Sequence, residues 1–214
     1  MNANEIQKSL KKYSSYMEEI RRRTDVAKKI ISLNRSSKSL TGDEETDIDL
    51  MYLQLRKVTE LVMYACVVAR KTAGDKLNRI LNKGYEIGKI KKELEKLNVN
   101  YFPVPKYDKE SPPDGVRSIG DLKEIGTPYA SSVDLLQTYG KAGNYLHAQR
   151  DSKYGNAKAR NRLFDKAAED FNNIVSLLNH HWIQVSSTTF FAVVMHGIED
   201  GKVQVSLMER VRNT

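Results

Sequence analysis

Three polar side chains follow one another at intervals of three in the segment "YGKAGNYLHA", and their types could do chemistry. If this segment is helical, Lys141, Asn144 and His147 project from neighbouring points of one helix face. A histidine can take and give a proton near neutral pH, and a lysine ammonium can stabilise an anionic transition state. The trio therefore suits metal-independent cleavage of an RNA phosphodiester, in which the 2′-hydroxyl attacks the adjacent phosphate.

A second interpretation gives the same residues a structural role. His147 would then cap the C-terminal end of the helix, where an imidazolium interacts favourably with the helix dipole. Lys141 and Asn144 would be solvated side chains, and the small residues at 140, 142 and 143 would let another helix approach closely. Pattern alone favours this structural role over catalysis.

A basic segment follows the trio directly and is the predicted anion-binding region. It contains five cationic residues, namely Arg150, Lys153, Lys158, Arg160 and Arg162. Positive charge at the start of a helix opposes the helix dipole, so helix stability does not explain it. The net charge of +8 and the isoelectric point near 9.4 favour acidic partners, with nucleic acid ahead of an anionic membrane. Further basic runs are "RRR" at 21–23 and "KIKKELEK".

Arg56 and Glu60 stand out as charged residues within the most apolar predicted helix. Because they are four residues apart, they would lie on one face and form an ion pair worth about 0.3 kcal/mol. The alternative is that Arg56 reaches an internal polar site and supports the trio. The ion pair is the simpler of the two interpretations.

No other motif predicts a metal or cofactor site. HExxH, paired CxxC and glycine-rich phosphate-binding patterns are absent from the sequence, and so are serine-nucleophile signatures. His180 and His181 are adjacent at a predicted helix end, where their side chains point about 100° apart, so capping or packing is expected of them. His196 is expected on a strand face. We therefore predict neither a metal nor a cofactor.

The single cysteine and the hydropathy pattern bear on the compartment. Cys66 lies in the apolar run "LVMYACVVA", which predicts a buried thiol of raised pKa and low reactivity. That apolar run is far shorter than the roughly 20 residues that cross a bilayer, and the N-terminus carries no apolar signal core. The expectation is a reducing, cytoplasmic location without a membrane partner.

The N-terminal half predicts two helices separated by a linker. A helix over about residues 4–34 carries one narrow apolar stripe, so it should pack on one side only, in a hairpin or against a second subunit. Small and acidic residues then break the pattern, and Thr46 or Asp47 is the expected cap of the next helix. That second helix is apolar around most of its circumference and should be central, ending near Gly74.

The rest of the chain predicts further helices and a final hairpin. An interrupted helix with Gly84 and Gly88 precedes a proline-rich stretch, and two helices follow, one opening at Ser131, Ser132 and Asp134 and one running through "AKARNRLFDKAAEDFNNIVSLLNHH". The ending alternates apolar and polar residues around a turn at 200–201. The predicted fold class is mainly α, a helical bundle with a long N-terminal helix and a C-terminal β-hairpin, α+β overall. The predicted parts are 1–36 and 46–214, together one compact domain.

Four segments carry a resemblance that covers most of the chain after residue 46. In order, "LQLRKVTELVMYACVVA", "LEKLNVNYFPVP", "YGKAGNYLHA" and "LLNHHWIQV" resemble a family of uncharacterised bacterial proteins. More distantly, a basic residue shortly before a histidine is similar to the HEPN superfamily, helical bundles that include metal-independent ribonucleases and nucleotide-binding subunits. In that comparison Lys141 stands in the place of the superfamily's arginine, Ala142 in the place of its polar residue, and His147 matches its histidine. A lysine does not grip phosphate in the bidentate way of an arginine.

The HEPN resemblance and the residues together lead to two expectations about function. The first is a HEPN-like protein that binds RNA or another polyanion, extending to metal-independent ribonuclease activity, with His147 as acid and base, Lys141 on the phosphate and Asn144 as an orienting group. The resemblance further implies a homodimer, because such sites are commonly built across a two-fold axis. The alternative is a non-catalytic helical module or accessory subunit that binds another protein through the long N-terminal helix and the hairpin edge.

Overall fold

The computed structural model describes residues 3–70, 86–96, 100–108, 122–124, 126–147, 155–197 and 200–209. The helices of these ranges are α1 (Ala3–Arg35), α2 (Glu44–Ala69), α3 (Ile87–Lys96), α4 (Ser132–Leu146) and α5 (Ala157–Leu178). The strands are β1 (Val104–Asp108), β2 (Leu122–Glu124), β3 (His180–Gln184), β4 (Thr189–Val194) and β5 (Gln204–Glu209). Mainly α with an antiparallel sheet, the architecture confirms the predicted fold class.

The long N-terminal helix is confirmed, and it forms a hairpin with α2. Its buried side is a stripe that includes Tyr13, Met17, Ile20 and Ala27, spaced by three, four and seven residues as one helix face requires. Contacts across the hairpin show that the two helices are antiparallel: the rings of Tyr16 and Tyr64 are 6.3 Å apart. The guanidinium of Arg23 reaches the side chain of Gln54 at 3.2 Å. Partnership within the chain therefore accounts for the one-sided stripe.

The start of α2 differs from the prediction in its capping residue. Asp43 is the N-cap, and its carboxylate accepts hydrogen bonds from the backbone N–H and the hydroxyl of Thr46 at 2.8 and 2.7 Å. Asp47, expected as a cap, lies inside the helix and holds the preceding linker by accepting from the backbone N–H groups of Leu40 and Thr41. Burial raises the pKa of Asp47, but hydrogen bonds from Ser39, Leu40 and Thr41 bring it below its ordinary value.

Helix α2 occupies the centre of the molecule, as its apolar circumference predicts. Most of its residues are buried, among them Cys66, whose thiol pKa is raised by burial. The helix contacts α1, α4 and α5 as well as α3 and β3. It ends at Ala69 with Arg70 as C-cap; Gly74, the predicted cap, lies outside the described residues.

Local capping fixes both helices of the second half. Ser131 and Asp134 form a reciprocal capping box at the start of α4, which confirms the predicted opening of this helix. Asn156 caps α5 by accepting from the backbone N–H of Ala159 at 3.1 Å. Tyr145 near the end of α4 stacks on Tyr52 of α2, with ring centroids 4.2 Å apart. These contacts set α4 and α5 against the central helix.

The strands form one antiparallel sheet in the order β2-β1-β3-β4-β5. The predicted hairpin is confirmed as β4 and β5, joined through a turn in which Gly201 has φ +66°, a conformation that favours glycine. The sheet is larger than predicted in two respects. The proline-containing stretch supplies β1, and His180 and His181 begin β3 instead of ending the preceding helix, which stops at Leu178. The prediction for His196 is also wrong, because this residue follows the end of β4.

One face of the sheet packs on the helices. His181, Ile183, Phe191 and Val193 alternate along β3 and β4 and are all buried, as strand periodicity requires. The ring of Tyr13 on α1 lies 5.5 Å from that of Phe191, so α1 lies between α2 and the sheet. Among the described helices, none combines the length and apolarity needed to cross a membrane.

Candidate functional site

The predicted trio lies at the C-terminal end of α4, and its members have different environments. Asn144 and His147 are exposed, whereas Lys141 is half-buried. His147 is the C-cap residue, with an extended backbone and its N–H donating to the carbonyl of Gly143 at 3.3 Å. This position agrees with the structural alternative for His147, and its exposure leaves the ring accessible to solvent.

The ammonium of Lys141 is engaged by a carboxylate from another helix. Its Nζ lies 3.6 Å from Oδ2 of Asp170 on α5, an ion-pair distance longer than a hydrogen bond. The other oxygen of Asp170 lies 3.2 Å from Nζ of Lys166, and the Asp170 side chain is only 10% exposed. A largely buried carboxylate between two ammonium groups offsets much of the positive charge that would stabilise a phosphate.

Helix geometry also separates the ends of the trio. Each step of three residues advances about 300°, so each side chain lies about 60° behind the previous one. Two steps place His147 about 120° around the axis from Lys141. Lys141 therefore leans toward α5 while His147 faces solvent, which is consistent with the difference in their burial.

Arg56 forms the predicted ion pair and also joins α2 to α4. Its Nε lies 3.5 Å from Oε1 of Glu60, and its Nη2 donates to the hydroxyl of Tyr139 at 3.1 Å. The guanidinium carbon is 4.7 Å from the centroid of the Tyr139 ring, a cation–π contact. A Cβ at Gly143 would lie 3.0 Å from Arg56 Nη1, so the small residue at 143 makes room for this arginine. Arg56 and Glu60 thus fasten two helices together.

The basic segment after the trio is only partly within the described residues. Arg150 and Lys153 lie outside them. Arg160 is partly buried and lies 3.6 and 3.8 Å from the carboxylates of Glu44 and Glu45 at the start of α2. Lys158 and Arg162 are exposed on the first two turns of α5. Two of the five predicted cations are thus shown to be solvent-accessible.

The buried histidine is His181, and its ring is saturated with hydrogen bonds. Nδ1 lies 2.8 Å from the carbonyl of Leu178, which can only accept, so Nδ1 carries the hydrogen. Nε2 then accepts from the hydroxyl of Tyr13 at 2.8 Å. Burial disfavours the charged ring and lowers the pKa of His181 to about 4. His181 is a neutral structural link between the sheet and α1, in accordance with the expected packing role.

The solvent face of α1 carries cations of a different kind. We define the basic ridge as Lys8, Lys11, Arg22 and Lys29, whose positions fall within about 60° of one another around the helix axis. All four are exposed, and no ion pair joins them to any other residue in the part of the chain that the structure describes. With a rise of about 1.5 Å per residue, the ridge extends about 32 Å.

The run "RRR" shows how the fold sorts these charges. Arg21 pairs with Glu18 at 3.0 Å and with Asp25 at 3.1 Å, and Arg23 pairs with Glu19 at 2.6 Å. Arg22, between them, is exposed and belongs to the basic ridge. The three acids beside the ridge are therefore already paired, and they leave its cations available to a partner.

Metal-binding clusters and relatives give no further guide to the site. Among the described residues, no group of three or more histidine, cysteine, aspartate or glutamate side chains could hold a metal ion. Comparison of the chain with models of protein families, with curated proteins and with solved structures found no match. The HEPN resemblance, the homodimer and the protein partner therefore stay predictions.

Sequence reasoning missed Asp170, which decides the environment of Lys141. A signal was present: Asp170 lies three residues after Ala167 and four before Ile174, both buried on the apolar stripe of α5. A carboxylate at the edge of a buried stripe needs a cation or hydrogen-bond donors. Which cation supplies that charge depends on how α4 packs on α5, which the spacing within either helix does not contain.

Proposed function

We propose that this chain is a non-catalytic protein that binds the phosphate backbone of RNA along the basic ridge of α1. The observation that carries the proposal is the exposure of the four ridge cations without an ion-pair partner among the described residues. A line of lysine and arginine along one helix face is the electrostatic footprint of a nucleic-acid-binding protein. The net charge of the chain, +8, acts in the same direction.

The physical basis of this binding is the release of counterions from the nucleic acid. Each cation that neutralises a phosphate of a single strand contributes about −0.7 to the slope of log affinity against log salt concentration. Four phosphate contacts made by the ridge would therefore give a slope of about −3. Binding of this kind requires free cations, and it carries no base recognition of its own.

The ridge is preferred to the predicted trio because of charge availability. Lys141 is paired with Asp170, and Arg160 with Glu44 and Glu45, so these cations would have to exchange an existing partner for phosphate. Such an exchange adds little net free energy, since each new bond to phosphate breaks an ion pair within the protein. Lys11 and Arg22 could bind phosphate while every ion pair described in the protein stays intact.

A nucleic acid is preferred to an anionic membrane because of the opposite face of α1. A helix that lies in a membrane interface buries its apolar face among the lipids. In α1 that face is already buried against α2 and the sheet, with Tyr13, Met17 and Ile20 fully enclosed. The ridge offers charge without an apolar anchor.

The proposal is tested by fluorescence anisotropy with labelled single-stranded RNA in EDTA. The double variant Lys11→Gln/Arg22→Gln removes two ridge charges, and we expect its affinity near 0.1 M salt to fall about 20-fold, about fivefold per phosphate bound. The matched control, Lys89→Gln/Lys92→Gln on α3, removes the same net charge and should bind like the wild type. Equal affinity of all three proteins, or no binding by the wild type, would refute the proposal. Vesicles of anionic lipid serve as the competing ligand.

The same samples separate binding from catalysis. Gel analysis over time should show intact RNA with the wild type and with His147→Ala, because the ammonium expected at the phosphate is paired. Cleavage by the wild type and not by His147→Ala, at equal folding, would restore the ribonuclease hypothesis.

A further inference from the structure

Two adjoining clefts lie where the C-terminal end of α1 meets α5. Their volumes are about 350 and 400 Å³, within the range of small ligand sites. Asn34, Phe164 and Asp165 line both, so the two form one continuous groove. Phe164 is buried beneath it. We call this groove the amide cleft because asparagines are its most frequent lining residue, namely Asn34, Asn161, Asn172 and Asn173.

The asparagine side chains of the amide cleft are available for hydrogen bonding. Within the described residues, none of the four amides makes a side-chain hydrogen bond, and Asn173 contributes only its backbone carbonyl, which accepts from the N–H of Ala130 at 3.0 Å. Each side-chain amide offers two donor hydrogens and an acceptor oxygen. The cleft thus presents paired donors and acceptors, the same chemistry that each residue of a peptide backbone carries.

The spacing of the polar residues along α5 matches an extended chain. Asn161, Asp165 and Asn172 lie within about 40° of one another around the helix. Their separations along the axis are about 6 and 10.5 Å. An extended peptide advances about 3.3 Å per residue, so its backbone groups recur every two residues at about 6.6 Å and every three at about 10 Å. The row of about 16 Å corresponds to roughly five extended residues.

The charges of the cleft fit an uncharged ligand. Three acids and two bases line it, and Glu44 and Glu169 are paired with Arg160 and Lys166. A nucleic acid would meet these carboxylates and be repelled, so the cleft is a different surface from the basic ridge.

We propose that the amide cleft binds an extended peptide segment through its backbone, by hydrogen bonds to the asparagine side chains. The occupant is a segment of another protein, bound with little dependence on its side chains. This proposal is independent of RNA binding, since Asn161 and Asn172 on α5 carry it.

The test is an NMR titration of the full-length ¹⁵N-labelled protein. The probe is a pool of capped, uncharged heptapeptides of randomised sequence, and the signals followed are the side-chain amides of the cleft asparagines. We expect saturable shifts of Asn34, Asn161 and Asn172. A matched pool that is N-methylated at alternate residues lacks backbone donors and should bind about tenfold more weakly.

A variant pair assigns the binding to the cleft. Asn161→Ala/Asn172→Ala should weaken binding of the pool about tenfold, and folding should be kept because both positions are exposed and alanine favours helix. Gln137→Ala, an exposed amide on α4 outside the cleft, should leave binding unchanged. Absence of shifts at the cleft in the wild type, or equal binding of the N-methylated pool, overturns the proposal. Shifts caused by a malto-oligosaccharide but not by peptide overturn it as well.

Discussion

Two regions of this molecule carry polar groups at helical or strand spacing, and the fold treats them in opposite ways. In the interior region, Lys141 lies against Asp170, and both ring nitrogens of His181 are hydrogen-bonded. On the solvent face of α1, Lys11 and Arg22 are exposed and have no ion-pair partner among the described residues. The difference teaches that residue type and spacing nominate a site, while a partner from elsewhere in the chain decides whether its charge is available.

If the comparison is right, changes in the interior region alter stability, and changes on the basic ridge alter binding. The largest expected effect is the pH dependence of stability caused by His181. Its pKa is about 4 in the folded chain, below the ordinary 6.5. Between these values the unfolded chain binds more protons, so stability falls as the pH falls. Urea denaturation should show a loss of about 2.5 kcal/mol between about pH 7 and about pH 4.5.

A control histidine and the acidic groups isolate this effect. His147→Ala should show the same loss with falling pH, whereas His181→Gln should show a much smaller one. Carboxylates contribute mainly below this window, since hydrogen bonds from Ser131 hold the pKa of Asp134 below its ordinary value, as those from Thr46 do for Asp43. An unchanged pH dependence in His181→Gln would show that His181 is not the responsible group.

The next effect is the removal of the hydroxyl that binds His181. Tyr13→Phe leaves the buried Nε2 of His181 without a donor, and an unsatisfied buried acceptor costs about 1–3 kcal/mol. The measurement is the free energy of unfolding in urea at neutral pH. Tyr129→Phe, at a side chain that is 48% exposed, is the matched control and should change stability by less than about 0.5 kcal/mol. A loss of similar size in both variants would contradict the assigned network.

Two single lysine substitutions set the regions directly against each other. Lys141→Gln should lower stability by up to about 1 kcal/mol through its lost ion pair, with RNA affinity unchanged. Lys11→Gln should leave stability within about 0.5 kcal/mol and weaken RNA binding about fivefold near 0.1 M salt. Urea denaturation and anisotropy on the same preparations give both quantities. The comparison fails if Lys141→Gln weakens RNA binding as much as Lys11→Gln does.

Local signals predicted the helices well because helix formation depends on nearby residues. The bounds of α1, the capping box at Ser131 and the hairpin turn at Gly201 all follow from spacing and backbone preference. Strand β3 did not, because "HH" continues the helical pattern of α5, and its strand state requires β1 and β4 as partners. Pairing between distant segments leaves little trace in either segment alone.

The choice of cap for α2 illustrates a smaller limit of the same kind. Several residues between 43 and 47 can accept from free N–H groups, and the sequence does not rank them. Asp47 instead holds Leu40 and Thr41 in the linker, which leaves Asp43 as the cap. The candidate site has the same limit, since Lys141 could be recognised by its type but Asp170, which neutralises it, lies on another helix.

The most direct test of the central claim is the salt dependence of RNA affinity for three proteins. The wild type should give a slope of about −3, and Lys11→Gln/Arg22→Gln about −1.4, because two of four phosphate contacts are lost. Lys158→Gln/Arg162→Gln, which removes the two exposed cations of α5, should keep the slope of the wild type. A slope that falls in the α5 variant and stays unchanged in the α1 variant would contradict the account and place the RNA on the segment that follows His147.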